Sequence, residues 1–588
     1  MSESTPPHDQ ESTHRITRRQ ALTLGGSLMA ATFIAGTAVY ARSQGFSLSG
    51  EGEGEGASDK QSVDYENQAS SGLTAAQQKI REGFKDAYDP VASAKIRAEL
   101  DAEIAQPHGE DNPYLVQDPF NTNAASAYLY FTTDDAVSLA YTIHVDEVDG
   151  EADTAADSST AIPDFTRTLP GGAATTHEHL LVGLVLGRTN TITLTLTPEA
   201  GEPRTRTLSL TASKMRGNEE LQLAHTAGTG DTPAADGLYA ILGNDSTKLD
   251  FMLYYDNDGV LRGEVPIIDY RSHRVLFADA GANGIIYSVS NTQLARVNRL
   301  GQTLQVYRTG DYELHHDYVF DDAGNLLVLA TDTSSDSVED VIVRINLTSG
   351  DVTEALDLSD LFPDYKKTCQ VASDGDLDWM HVNSIAWVGN DAIIISCREV
   401  STIMRIERLS TKPTVAWMLA DRHVWEGTSY EDLVFAQASD FPAHAGQHAV
   451  SYVADESLPA GQFYLYLYNN NLGFSESRPD FDWTVIDGVG TSYDSKVSSS
   501  YYRYLVDENE RAFELVRRFA LPYSAYVSDV QHTGAGTLDQ TVVFCSGMAG
   551  TFGERTADGE KIATYQIRLN NKYVYRVMKY DFKGFYFA

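Results

Sequence analysis

Three histidine-bearing segments recur in the second half of the chain: His315-His316-Asp317, His381-Val382-Asn383 and His448-Ala449-Val450. With His315 set over His381 and no gap, Asp317 meets Asn383, and Leu326-Leu327-Val328-Leu329 meets Ala392-Ile393-Ile394-Ile395. Arg398 closes the second of these apolar runs. A neutral imidazole is a competent nucleophile near neutral pH. A second imidazole can protonate a leaving group and later deprotonate an acceptor. Arg398 is a permanent cation whose planar fork suits two oxygens of an oxyanion, and Asn383 offers one more donor. These side chains suit group transfer through a covalent intermediate, provided that they meet.

Repeated sheets arranged around one axis would make them meet, because equivalent positions then converge. From residue 213 to 588 the chain reads as short strands between turn pairs such as Asp256-Asn257-Asp258-Gly259 and Asp321-Asp322-Ala323-Gly324-Asn325. Self-similarity at roughly 65 residues predicts a six-bladed β-propeller. Residues 112–212 read as a small β-sandwich, with strands such as Ala127-Tyr128-Leu129-Tyr130-Phe131. Residues 73–111 carry Ile80, Phe84 and Ala87 at helical spacing, and Pro90 divides the segment into two helices. The expected fold class is therefore all-β, a propeller preceded by a sandwich and a short helical segment. Residues 47–72, with Glu51-Gly52-Glu53-Gly54-Glu55-Gly56, form an acidic linker. Residues 1–46 hold Thr17-Arg18-Arg19-Gln20-Ala21-Leu22 ahead of an Ala- and Gly-rich apolar stretch. That pattern reads as a twin-arginine-type signal or a membrane anchor.

The 588 residues include 44 Lys and Arg against 83 Asp and Glu, a net charge of −39. Phosphate backbones would be repelled, which argues against nucleic-acid partners. An anionic substrate stays open, since a local arginine can reverse the field within a cleft. The three cysteines, Cys369, Cys397 and Cys545, match no zinc spacing. His177, His179, His273, His423, His444 and His532 lack the repeat context and read as ordinary side chains. Among 32 tyrosines, Tyr501-Tyr502-Arg503-Tyr504 is the first stretch to examine for an aromatic acceptor site.

The segment Asp378-Trp379-Met380-His381-Val382-Asn383-Ser384-Ile385, Arg398, Gln447-His448 and the upstream His315-His316-Asp317 together resemble the bacterial arylsulfate sulfotransferases, the PAPS-independent kind. The resemblance spans the sandwich, with Asn112-Pro113-Tyr114, and the propeller. It is strongest from Leu314 to Asn471. It departs at Asn469-Asn470-Asn471-Leu472-Gly473, where relatives commonly read Asp-Asn-Gly. It implies sulfuryl transfer from a phenolic sulfate ester to a phenolic acceptor, ping-pong, through a sulfohistidine. His448 matches the nucleophile; His381, Arg398 and one of His315 and His316 match the other catalytic positions, and Asn383 a substrate-binding one. No cofactor and no metal are expected. A metal-dependent propeller hydrolase and a non-catalytic cell-surface binding propeller are the competing readings. Export machinery is an expected partner, the expected location is extracytoplasmic (periplasmic or cell-surface, free or membrane-anchored), and a homodimer is left open.

Overall fold

The computed structural model describes residues 75–146, 161–244, 249–269, 271–278, 284–372, 375–534, 538–570 and 572–588. The signal-like segment 1–46 and the linker 47–72 lie outside these residues. Helices α1 (Ala75–Ala87) and α2 (Pro90–Ile104) open the described chain. Pro90 stands in the first turn of α2, where its missing N–H costs nothing. Asp89 caps that turn by accepting from the Val91 N–H. Both helices are fastened to the later sheets: the Thr303 hydroxyl donates to Ala87 O of α1 and the Thr303 N–H to Ser93 Oγ of α2, while between them the Tyr88 hydroxyl donates to Pro266 O.

The protein is mostly β. Strands between Tyr114 and Thr211 are hydrogen-bonded into one six-stranded set. The reason is the long strand Ser126–His144. Its first half pairs with Tyr114–Gln117 and Ala174–Val182, its second half with Phe165–Thr168 and Thr189–Pro198. One strand thus serves both halves, and its inward residues Tyr128, Phe131, Leu139 and Tyr141 are buried.

Six further sheets of four or five strands follow among the described residues. In chain order, one edge strand of each is Val577–Tyr580, Leu276–Phe277, Tyr312–Phe320, Val382–Gly389, His448–Val453 and Asp529–His532. The first sheet is closed by the last strand, Val577–Tyr580 pairing with Leu238–Ile241. The sixth is completed from the opposite direction, Lys561–Gln566 pairing with Ala224–Ala227. Consecutive sheets share apolar cores, and the sixth packs against the first through Cys545 and Phe552. A cavity of about 390 Å³ is lined from all six edge strands or the residues flanking them, including Met578, Leu276, Val319, Ile385, Ser451 and Gln531. Asp317, wholly buried, meets Arg274 at 3.1 Å and Arg576 at 3.6 Å.

Candidate active site

The histidines stand where these edge strands begin, and bulges aim them. One extra residue separates the pairs Val382↔Cys397 and Ser384↔Ser396, and one separates His448↔Tyr468 and Ser451↔Tyr466. Two extra residues separate Leu314↔Ala330 and Tyr318↔Val328. A bulge bends its strand and redirects a side chain, a device common beside active sites. His316 (φ 51°), His381 (φ 52°) and Ala449 (φ 54°) all take left-handed backbone at these entries. Non-glycine residues hold that conformation only where the surroundings impose it. The backbone therefore equates His316, not His315, with His381, and His315 with His448.

His448 is 2% exposed. Its strand entry is lashed to the preceding sheet: Asn383 Nδ2 donates to Gln447 O at 2.7 Å, Gln447 Nε2 to Ser396 Oγ at 2.9 Å, and the Val450 N–H to Ser384 Oγ at 3.1 Å. Asn383, wholly buried, holds the backbone beside His448. Asn470 follows the strand that pairs with His448. Its Nδ2 donates to Ser524 O and Val527 O, each at 2.9 Å. Its Oδ1 must then face His448 Nδ1, 2.8 Å away, with Gly446 O 3.1 Å from the same nitrogen. Two acceptors on Nδ1 place the proton there and leave the Nε2 lone pair bare. Burial, reinforced by Arg398, His381 and Arg576, pushes the His448 pKa down to about 3, against Asn470. The ring is a neutral base with a fixed tautomer.

Arg398 follows the strand paired with Val382, and its N–H donates to His381 O at 3.1 Å. Its guanidinium is oriented by Glu399 Oε1 (Nη2 at 2.5 Å) and Asp378 Oδ2 (3.3 Å). Asp378 Oδ2 also accepts from His381 Nδ1 at 2.6 Å, and Glu339 Oε2 lies 2.7 Å from that nitrogen. Burial and Arg398 pull the His381 pKa down, but Asp378 and Glu339 outweigh them and set it at about 9. His316 packs edge-on to His381 with ring centres 4.8 Å apart, and His315 Nδ1 stands 3.0 Å from His316 Nδ1. Burial holds both of these imidazoles below the ordinary range. Two groups bring potential metal ligands within 4.8 Å of one another: His315, His316 and Glu339; and Glu339, Asp378 and His381.

The structure thus brings His315, His316, His381, Arg398 and His448 into one electrostatically coupled cluster, and puts Asn383 behind it. Glu339, Glu399 and Asn470 escaped sequence reasoning. Glu339 comes from a loop with no motif; Asn470 was legible only as the residue ending the strand paired with His448. Tyr501, Tyr502 and Tyr504 are buried strand residues, Tyr501 stacking on Phe519 at 4.6 Å. A different aromatic row lies by the site. Tyr493, on which Arg398 acts electrostatically, contacts Phe474 and Tyr526, which in turn contacts Tyr573.

The family profile described as Arylsulfotransferase (ASST) matches residues 224–584, and that of the Arylsulfotransferase Ig-like domain matches residues 112–213. The chain belongs to the arylsulfotransferase family: it is an enzyme, a PAPS-independent aryl sulfotransferase acting on small-molecule donors and acceptors. No curated protein matches it. Among solved structures, a putative 6-phosphogluconolactonase from Bacteroides uniformis is 13% identical at TM-score 0.33, covering 75% of this chain and 99% of that one. An auxiliary nutrient binding protein from Bacteroides thetaiotaomicron is 10% identical at TM-score 0.28, covering 75% of this chain and 94% of that one. Similarities this loose carry no argument about this chain.

Proposed function

We propose that the six sheets are the blades of a β-propeller and that His448 carries the sulfuryl group between donor and acceptor in a ping-pong cycle. In the first half-reaction the His448 Nε2 lone pair attacks the sulfur of a phenolic sulfate. An N–S bond forms, the S–O bond to the phenol breaks, and the departing oxygen takes a proton from His381. In the second, an acceptor phenol returns a proton to His381 while its oxygen attacks sulfur. The N–S bond breaks and its electron pair returns to Nε2. Arg398 stabilises the charge on the non-bridging oxygens, as donors aimed at developing charge do in phosphoryl transfer. The row of Phe474, Tyr493, Tyr526 and Tyr573 offers the aryl ring a surface. His315 and His316 complete the pocket wall beside His381.

The observation that carries this reading is the Asn470 amide, whose two donated hydrogen bonds oblige its oxygen to fix the His448 tautomer with Nε2 free. A brief pulse of 4-nitrophenyl sulfate, followed by digestion and mass spectrometry, is expected to find sulfate on the peptide holding His448. Full transfer activity in His448→Ala would overturn the assignment. The segment around Arg18-Arg19 supports export of the folded chain to an extracytoplasmic location. Cell fractionation with and without Arg18→Lys and Arg19→Lys tests that.

A further inference from the structure

We propose that His315, His316 and Glu339 form a binding site for a divalent transition-metal ion of the zinc class. Ligand atoms about 2.0–2.2 Å from such an ion lie roughly 3.0–3.6 Å from one another. The His315 and His316 Nδ1 atoms are 3.0 Å apart, and Glu339 Oε2 is 3.7 Å from His316 Nδ1. Two imidazoles and one carboxylate is a recurrent zinc and iron ligand set, whereas magnesium and calcium prefer all-oxygen cages. Glu339 Oε2 is buried without a hydrogen bond, because the His381 N–H beside it points to Asp378 instead.

The ligand positions are held by strained backbone. His316 and Glu339 both have left-handed φ, 51° and 56°. Glu339 is pinned on either side, its N–H donating to Thr331 Oγ1 at 2.8 Å and its carbonyl accepting from the Val382 N–H at 3.0 Å. Conformations of this kind persist where a site needs them. The neighbouring group of Glu339, Asp378 and His381 is a poorer cation site, because Arg398 already neutralises Asp378 at 3.3 Å. Among the interactions resolved for His315 and His316, the only charge partner other than an imidazole is Glu339.

Co²⁺ serves as the probe, added to the metal-free full-length protein with no sulfate ester present. One ion per chain is expected, with a visible absorption band and a raised melting temperature. Glu339→Gln, nearly isosteric, and His316→Asn should each weaken binding about a hundredfold or more, since even outer partners of metal ligands are worth 10–100-fold. His448→Ala should bind as the parent does, which separates this site from the sulfuryl-transfer chemistry. Absence of a stoichiometric band and of a thermal shift in the parent protein would overturn the proposal. So would binding and thermal shift left unchanged by both ligand variants.

Discussion

At His448 the chemistry depends on which ring nitrogen holds the proton. Asn470 decides it with one oxygen, because its two N–H groups are already committed to Ser524 and Val527. Asn470→Ala should slow sulfation of His448 by roughly 10–100-fold, the equivalent of one buried hydrogen bond of about 1–3 kcal/mol. Single-turnover release of 4-nitrophenol measures this. The low basicity of His448 sets the acid limit. With its pKa at about 3, Nε2 stays unprotonated as pH falls through the usual histidine range. The single-turnover rate should therefore show no His448 inflection between pH 7 and pH 5, whereas an ordinary imidazole would protonate near pH 6.5. His381→Ala should cost about 10²–10⁴ in rate with phenyl sulfate. The loss should shrink as electron-withdrawing substituents make the phenol a better leaving group. A uniform loss across a donor series would remove His381 from the role of proton carrier.

At the scale of the strand, the sequence repeat pointed to histidines that the fold does bring together. The runs Leu326–Asp332 and Ala392–Cys397 hold comparable places in successive sheets, so matching them by eye worked. The bulges that carry the histidines leave no mark in hydrophobic alternation. Asn383 is matched to a substrate-binding position by resemblance, and its Nδ2 also donates to Gln447 O, a contact that no sequence pattern announces. The aromatic row was invisible in sequence, since Phe474 and Tyr493 share one long connection while Tyr526 and Tyr573 come from two others, and they meet only in three dimensions. Those loops should select the aryl group. Tyr493→Ala is expected to raise KM for phenolic acceptors while leaving kcat within a fewfold, because a ring that packs equally on substrate and transition state affects binding alone. Steady-state kinetics over a series of acceptors distinguishes this from a loss confined to kcat.

At the scale of the whole molecule, the charge pattern and the mostly-β class were legible, but the strand that completes the first sheet was not: no local signal announces that Val577–Tyr580 will pair with Leu238–Ile241, more than half the chain away. Asp529 stands at that closure. Its carboxylate, from the sixth sheet, accepts from the Val577 N–H of the first at 3.0 Å, and it is 1% exposed. Burial raises its pKa to about 7, against the pull of Arg576 and the Val577 N–H. The sign follows from proton linkage: the folded state binds the Asp529 proton more tightly than the unfolded state, so this contribution is full below the ordinary carboxylate pKa. It is lost as pH rises toward 7 and is constant above. A shift from 3.8 to about 7 corresponds to roughly 4 kcal/mol over that interval, at about 1.4 kcal/mol per unit. Asp529→Asn keeps the acceptor for Val577 and cannot ionise. Its stability relative to the parent should therefore climb between pH 4 and pH 7, by an amount of that order, and then level off. Thermal unfolding of both proteins across this range measures the difference. Parallel pH profiles would mean that Asp529 stays ionised throughout, with Arg576 and Arg274 outweighing its burial between the sixth sheet and the first.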